Sequence, residues 1–215
     1  MVQKWVVKTP RLAPMHIPRF SPAADRNKQA ILEVLRTVLP PQGHTLEIAS
    51  GTGQHVAWFA EHLPLWTWQQ TDATAEGFAD IAAHTAGLMN VRQPQRLDVL
   101  DTPWLVADAR FDAIYCANML HIAPWQTTTA LLQGSALHLA TGGMLITYGP
   151  YLEDTVATAE GNLSFDASLR AHNPAWGIRR LEDVIQAAAH AGLQLTQRHA
   201  MPANNLLLVW QRAAR

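Results

Sequence analysis

Short apolar runs alternate with stretches of helical periodicity from residue 45 onwards, and this alternation limits the possible folds more than any other feature of the chain. It predicts, in chain order, strand 45–49, helix 53–63, strand 66–71, helix 75–86, strand 93–98, strand 111–117, helix 125–140 and strand 144–148. Such alternation favours a mostly parallel sheet with helices on both faces. We therefore expect a doubly wound α/β protein.

The last part of the chain departs from this alternation. After a helix at 181–191, two strands at 193–199 and 206–211 are joined by residues 201–205. Their separation suits a hairpin, so the last strand is expected to run antiparallel to its neighbours. The resulting seven strands differ from the six parallel strands of a dehydrogenase domain.

Length and proline placement indicate one domain preceded by an arm. Three prolines within residues 1–20 predict an extended arm, and residues 21–215 are expected to form a single domain. Residues 150–180 show weak periodicity, and a connection of that length is more often a functional lid than a plain loop. We expect this segment to be a lid-like insertion over a pocket.

Composition argues against several classes of function. The 16 Lys and Arg are balanced by 17 Asp and Glu without a basic cluster, so nucleic acid binding gains no support. Residues 113–152 carry no charged side chain, but prolines, glycines and threonines interrupt them, so no membrane segment is predicted. The single cysteine, Cys116, and the absence of an apolar signal core in residues 1–20 indicate a cytoplasmic protein. Small-molecule substrates are the remaining expectation.

A glycine turn follows the first predicted strand. Residues 47–53 read Glu-Ile-Ala-Ser-Gly-Thr-Gly, and glycines at 51 and 53 allow sharp turning and close approach of backbone to a ligand. Dinucleotides and S-adenosylmethionine both bind at such turns. The third small residue of the dinucleotide fingerprint is replaced by Val56, which disfavours a nicotinamide cofactor.

Two acidic residues follow the next strands. Asp72 ends the second predicted strand, 19 positions after Gly53, where an acid is expected to accept hydrogen bonds from ribose hydroxyls. Asp98 ends the third and is expected to accept from an adenine amino group, while Leu97 and Val99 supply apolar walls. The alternative for Asp72 is that it only caps a helix. Asp101 is the alternative to Asp98 as the residue that binds the adenine amino group.

Polar residues also appear where the fourth strand ends. Asn118, Met119 and His121 follow strand 111–117 and are expected to border the cofactor or substrate, because ligands in open α/β sheets lie beyond the carboxyl ends of strands. His121 is a candidate general base, and a structural histidine is the alternative. The ten histidines show no paired-ligand spacing, so no metal site is predicted.

Together, the glycine turn, Asp72, Asp98 and the segment 118–121 resemble the class I S-adenosylmethionine-dependent methyltransferases. Residues 19–27, reading RFSPAADRN, resemble the opening motif of a small uncharacterised family within them, known as a domain of unknown function. Residues 164–169, 173–177 and 201–205 extend the likeness, which covers about residues 15–212.

The resemblance implies a seven-stranded Rossmann-like sheet with an antiparallel last strand and S-adenosyl-L-methionine lying across the first strands. It also implies that the start of the first helix lies near the cofactor. The expected cofactor-binding residues are Arg26, Asn27, Glu47, Ala49, Ser50, Gly51, Gly53, His55, Asp72, Asp98, Val99, Asn118 and Met119.

The leading hypothesis is methyl transfer from S-adenosyl-L-methionine to an oxygen, nitrogen or sulfur atom of a small molecule. His121 or Tyr151 is expected to take the acceptor's proton, and Phe165, Trp176 and Arg179 are expected to shape the acceptor pocket, with ordinary packing as the alternative role of these residues. A nicotinamide-dependent oxidoreductase and a non-catalytic S-adenosylmethionine-binding protein are the competing functions. The uncharged polar face of helix 125–140 leaves a homodimer possible.

Overall fold

The computed structural model describes residues 16–104 and 110–212. Its helices are α1 (Pro22–Val38), α2 (Gln54–His62), α3 (Phe78–His84), α4 (Trp125–His138), α5 (Glu160–His172) and α6 (Leu181–His190). Its strands are β1 (Gly43–Ile48), β2 (Trp66–Asp72), β3 (Gln95–Arg96), β4 (Phe111–Ala117), β5 (Leu139–Leu152), β6 (Arg179–Arg180), β7 (Leu193–Met201) and β8 (Asn205–Arg212). Within the described ranges, no helix combines the length and apolar character needed to cross a membrane.

The strands form one sheet in the order β3-β2-β1-β4-β5-β8-β7. Strands β1 to β5 pair in parallel, whereas β8 runs antiparallel to both β5 and β7. The predicted doubly wound sheet of seven strands with an antiparallel last strand is therefore confirmed. An eighth strand, β6, adds a two-residue pairing to the end of β5.

Helices pack on both faces of the sheet, as the near-continuous apolar runs of the central strands require. On one face, Leu131 of α4 and Val184 of α6 belong to a buried cluster with Ile114 of β4. On the other face, Ile31 of α1 and Phe59 of α2 belong to a second buried cluster with strand residues. With one cluster on each face of the sheet, the protein has a three-layer architecture.

The start of α1 is fixed to the start of α2. The Ser21 hydroxyl accepts a hydrogen bond from the Ala24 amide at 3.3 Å and so caps α1. The Gln54 side chain accepts a hydrogen bond from the Ser21 amide and donates one to the Ser21 carbonyl at 3.3 Å. These bonds place the first turn of α1 beside the residues that follow β1.

Several predicted boundaries were wrong. The strand expected at 93–98 is reduced to Gln95–Arg96, an exposed pairing at the sheet edge. Helix α4 ends at His138, and the glycines at 142 and 143 lie inside β5 instead of ending the helix. Residues 150–180 are not irregular, since they contain the 13-residue helix α5.

The predicted arm at residues 1–20 lies mostly outside the described residues. Residues 16–20 are part of the described range and form neither helix nor strand. His16 and Arg19 both bond the buried carboxylate of Asp80, at 2.8 Å and 2.6 Å. This segment therefore contacts the first turn of α3.

Candidate active site

The strand order reverses direction between β1 and β4. Successive strands β2 and β3 continue on one side of β1, whereas β4 and β5 lie on its other side. Ligands of open α/β sheets bind in the crevice that such a reversal leaves beyond the carboxyl ends of the strands. The residues that follow β1, β2 and β4 therefore define a candidate site.

The glycine turn after β1 is shaped for close approach of a ligand. Gly51 and Gly53 have φ values of 57° and 80°, in the left-handed region that favours glycine. A Cβ on Gly53 would lie 2.8 Å from the Cα of Ile81, whereas a Cβ on Gly51 would meet no atom within 4 Å. Gly53 is thus packed against α3, and Gly51 faces open space.

Glu47 is the buried acid at this turn. It is only 2% exposed, and burial raises its pKa from the ordinary 4.5 to about 8. The nearby Ser50 side chain acts to lower this pKa, and the charge of Asp72 acts to raise it. Within the described residues, neither Oε2 of Glu47 nor Oγ of Ser50 has a hydrogen-bond partner. Buried polar atoms are normally paired, so this pair is suited to a polar, cationic ligand group.

Asp72 lies at the end of β2 and contacts the turn directly. Its Oδ2 accepts a hydrogen bond from the Gly51 amide at 3.0 Å. A carboxylate offers two acceptor oxygens, so the same side chain can hold the turn and accept from a ligand hydroxyl.

The residues after β3 make their contacts within their own segment and with the core. Asp98 accepts from the Leu100 amide at 3.0 Å and so closes a local turn. Val99 is buried in the core, where its carbonyl accepts from the Trp104 indole at 3.1 Å. The competing Asp101 is exposed and pairs with Arg96 at 3.2 Å.

Backbone strain is concentrated at this edge of the sheet. In the described ranges, positive φ values of non-glycine residues occur at Ala49, Asn118, Ala203 and Asn204, all between 55° and 57°. Ala49 and Asn118 directly follow β1 and β4, and the other two form the turn between β7 and β8. Strained residues gather at functional sites, which supports a ligand site here.

A cavity of about 860 Å³ opens beside these residues. Its wall is formed by the first two turns of α1, the ends of β4 and β5, the start of α5 and the turn between β7 and β8. The polar residues of the wall are Arg26, Asn27, Asn118, His121, Tyr148, Asn162, Asn204 and Asn205, and its large apolar residues are Ile122, Pro150, Phe165 and Pro202. The lid-like segment therefore supplies part of this wall through α5.

His121 faces this cavity as a neutral imidazole. It is 7% exposed, and burial, helped by the charge of Arg179, lowers its pKa to about 4. Its ring lies edge-on to Phe165 at 5.5 Å between centroids. A neutral imidazole on a cavity wall can accept a proton from a ligand.

Asn27 connects the cavity to a buried pair of side chains. Its Oδ1 lies 2.6 Å from Nε2 of His55, and the Tyr115 hydroxyl lies 3.4 Å from Nδ1 of the same ring. Burial is the main cause that lowers the pKa of His55 to about 4, so the ring is neutral and can donate from Nε2 to Asn27. His55 is therefore placed to orient Asn27 from behind the wall.

Three of the residues expected to act on the acceptor lie outside the cavity wall. The Tyr151 hydroxyl donates to Oγ1 of Thr147 at 2.9 Å within the core. Arg179 donates to the backbone carbonyls of Leu120 and Ala123, and Trp176 packs against His172 at 5.1 Å. Of the residues predicted to shape an acceptor pocket, only Phe165 lines the cavity.

Some residues of the wall were not expected from sequence. Tyr148 lies inside the apolar run of β5, and Asn162 lies in the segment that was expected to be irregular. Asn204 and Asn205 lie at the hairpin turn, where the sequence analysis assigned no role to the two asparagines.

Met119 packs against the core instead of the cavity. Across the described ranges, no group of three or more ligand-type side chains could hold a metal ion.

Comparison with known proteins agrees with this geometry. A family model described as "Protein of unknown function (DUF938)" matches residues 18–212. Among solved structures, an O-methyltransferase family protein from Burkholderia thailandensis is 18% identical with a TM-score of 0.72, over 89% of this chain and 58% of that one.

Two further solved structures share the fold. An O-methyltransferase family 2 protein from Planctomyces limnophilus, in complex with apigenin, is 17% identical with a TM-score of 0.72, over 89% of this chain and 58% of that one. Human N-acetylserotonin methyltransferase in complex with SAM is 15% identical with a TM-score of 0.68, over 87% and 55%. At these identities the likeness establishes the fold, and the chain spans less than two thirds of the length of these structures.

Proposed function

We propose that this chain, which belongs to the family described as protein of unknown function DUF938, transfers a methyl group from S-adenosyl-L-methionine to an oxygen, nitrogen or sulfur atom of a small molecule. One observation carries the proposal: the buried, unpartnered Oε2 of Glu47 lies at a glycine turn on the crevice edge of a methyltransferase fold. The solved structures of the same fold support methyl transfer as the reaction class.

The residues of the crevice fit the chemistry of this cofactor. Glu47 offers a carboxylate to the cationic amino group, and Asp72 offers acceptor oxygens to the ribose hydroxyls. A Cβ on Gly51 would meet no atom within 4 Å, so a ligand can approach the backbone of the turn closely there. The amides of Ser50, Gly51 and Gly53 already donate within the protein and hold the shape of the turn. We propose that the remaining contacts come from Ala49, Ser50, Gly53, Asp98, Val99 and Met119, with Asn118 and Asn27 at the boundary of the cavity and His55 behind Asn27.

The cavity beside the crevice is proposed as the acceptor site. Its volume of about 860 Å³ lies within the range of about 300–1,000 Å³ that is usual for small-molecule pockets. When bound, S-adenosyl-L-methionine supplies a methyl group that its sulfonium charge activates for in-line displacement. The chain's own contribution is orientation, which is worth up to about 7–11 kcal/mol in well-aligned reactions.

His121 is the proposed general base. It is a neutral imidazole on the cavity wall, and its pKa of about 4 makes it a weaker base than an ordinary histidine. It can take the acceptor's proton because that proton becomes strongly acidic as the acceptor atom forms its bond to the methyl group. We do not assign this role to Tyr151, because its hydroxyl is buried and already bonded to Thr147.

The reaction is tested by incubating the protein with methyl-labelled S-adenosyl-L-methionine and a library of phenols, carboxylic acids, amines and thiols. We expect label to appear in one class of acceptor and His121→Asn to lower turnover by about 10²–10⁴-fold. His199→Asn, at a half-buried histidine of β7 that lies outside the cavity, is the matched control. Cofactor binding without transfer to any acceptor would instead favour a non-catalytic binding protein.

A further inference from the structure

The cavity wall carries an unopposed positive charge. Arg26 lies on the wall, and none of the described residues that line the cavity is an aspartate or a glutamate. The adjacent Asp25 is already paired with Lys28 at 2.6 Å. Within residues 16–104 and 110–212, no carboxylate lies within salt-bridge distance of the Arg26 guanidinium. Its charge is therefore available to a ligand.

Two helix N-termini add to this positive potential. The first two turns of the 17-residue α1 supply Ala23 and Arg26 to the wall, and the first turn of the 13-residue α5 supplies Gly161 and Asn162. The N-terminal end of a helix carries a partial positive charge and unpaired amide groups. The Ser21 hydroxyl caps α1. The residue before α5 is Ala159, whose side chain cannot cap that helix, while its carbonyl accepts from the Asn162 amide at 2.9 Å.

Nearby carboxylates are directed elsewhere. Asp166 of α5 accepts from the Arg170 side chain at 2.8 Å and from the Ile178 amide at 2.6 Å. Glu153 accepts from Arg198 at 2.7 Å. Glu160 is exposed at the start of α5 and is not part of the wall. These three carboxylates are thus either paired or exposed to solvent.

The rest of the cavity wall is suited to the apolar part of a ligand. Phe165 is 42% exposed, and its open ring faces the same space as Ile122 and Pro150. Asparagine side chains surround this apolar surface. The amide nitrogens of Asn162 and Asn205 already donate to backbone carbonyls of the hairpin turn, at 3.0 Å each. Those of Asn27, Asn118 and Asn204 can donate to ligand oxygen atoms. An acceptor with an apolar or aromatic body and negatively charged oxygens matches both kinds of wall.

We infer that the methyl acceptor is an anionic molecule, a carboxylate with an apolar body, and that Arg26 binds its charged group. The inference rests on the proposed function, because it names the class of molecule that occupies the acceptor site. An ammonium group on the acceptor is disfavoured, since the wall offers it no carboxylate.

The same carboxylate chemistry occurs at the amino-acid end of the cofactor, so Arg26 has two possible anionic ligands. The position of Arg26 favours the acceptor, because the cavity wall includes neither the glycine turn at residues 49–53 nor Asp72 and Asp98. The experiment must nevertheless measure both ligands.

The test uses three probes that share a phenol ring and differ in charge: 4-hydroxyphenylacetate, 4-hydroxyphenylacetamide and tyramine. Each is titrated calorimetrically into the full chain saturated with S-adenosylhomocysteine. We expect the acid to bind at least about tenfold more tightly than the amine, the effect of one charge-assisted contact. Arg26→Gln is expected to weaken binding of the acid about tenfold and to leave the affinities for the amide and for S-adenosylhomocysteine unchanged.

Arg36→Gln is the matched control, because Arg36 is an exposed arginine in the last turn of the same helix and lies outside the cavity. Three outcomes overturn the inference: tightest binding of tyramine, equal behaviour of the three probes including no binding by any, or an Arg26→Gln variant that loses S-adenosylhomocysteine affinity but not the preference for the acid. Failure of the proposed function is seen separately, as no binding of S-adenosylhomocysteine to the wild-type chain. In that case, the same titrations without it still decide the charge preference.

Discussion

Oδ1 of Asn27 lies 2.6 Å from Nε2 of His55, and this contact joins the second turn of α1, at the cavity wall, to the first turn of α2 behind it. Both helices pack on the same face of the sheet. The contact therefore links the cavity residues of α1 to the helix that follows the glycine turn.

Loss of this contact is expected to destabilise the protein. Asn27→Ala removes the side-chain partner of the buried Nε2 of His55, which costs about 1–3 kcal/mol of unfolding free energy. Gln29→Ala, on the exposed side of the same helix, is the control and is expected to stay within about 0.5 kcal/mol. Urea unfolding of both variants measures the difference. Equal stabilities would show that the contact does not hold the two helices.

Gly53 is expected to tolerate no side chain. Gly53→Ala places a methyl group 2.8 Å from the Cα of Ile81, whereas Gly87→Ala, at a similar φ of 84°, meets no atom within 4 Å. Both variants carry the strain of a left-handed alanine, about 1–2 kcal/mol, and the contact adds about 1–3 kcal/mol at Gly53 alone. Denaturant unfolding separates the two terms. A Gly53→Ala variant as stable as Gly87→Ala would refute the packing of the turn on α3.

Binding of S-adenosylhomocysteine is expected to release a proton from Glu47. Burial raises the pKa of Glu47 to about 8, so its side chain is mostly protonated at pH 7 in the free protein. A cationic amino group beside it favours the ionised form and lowers this pKa. Calorimetry at pH 7 in buffers of different ionisation enthalpy counts the proton. Glu47→Gln is expected to bind more weakly without proton release, and release that persists in this variant would rule out Glu47 as the source.

The same raised pKa makes the stability of the free protein depend on pH. The contribution of the protonated Glu47 side chain is fully present below the ordinary pKa of 4.5 and is lost as pH rises through about 8. The melting temperature of the wild type is therefore expected to fall between pH 5 and pH 8 by more than that of Glu47→Gln. Parallel profiles for the two proteins would contradict the burial of this carboxyl group.

His121 is expected to remain neutral through the physiological range. Burial and the charge of Arg179 lower its pKa from 6.5 to about 4. Its ring signal in an NMR titration, assigned by its loss in His121→Asn, should therefore not shift between pH 8 and pH 6. A midpoint above pH 6 would contradict the buried position of the ring.

Much of the fold could be predicted from the chain because the central strands are apolar runs bounded by turn residues. Strand β4 has the predicted ends, Phe111 and Ala117. The edge strand β3 was overestimated, since pairing there depends on tertiary position and not on side-chain pattern. Helix α5 was missed because Leu169 is its only buried residue in the structure, so its sequence shows little amphipathic periodicity.

The site was less predictable than the fold. The glycine turn, Asp72 and His121 follow strand ends, and the carboxyl edge of a parallel sheet brings such residues together. Tyr148 and Asn162 reach the cavity only through the packing of β5 and α5, which no local pattern encodes. Conversely, Arg179 was expected to shape the acceptor pocket, but its guanidinium donates to the backbone carbonyls of Leu120 and Ala123.

The most direct test of the account is a calorimetric titration of the purified protein with S-adenosylhomocysteine, with NADH as the competing ligand. We predict saturation of one site by S-adenosylhomocysteine with micromolar affinity, weakened by Asp72→Ala, and no heat from NADH. Absence of S-adenosylhomocysteine binding, or tighter binding of NADH, would contradict the proposed methyltransferase function.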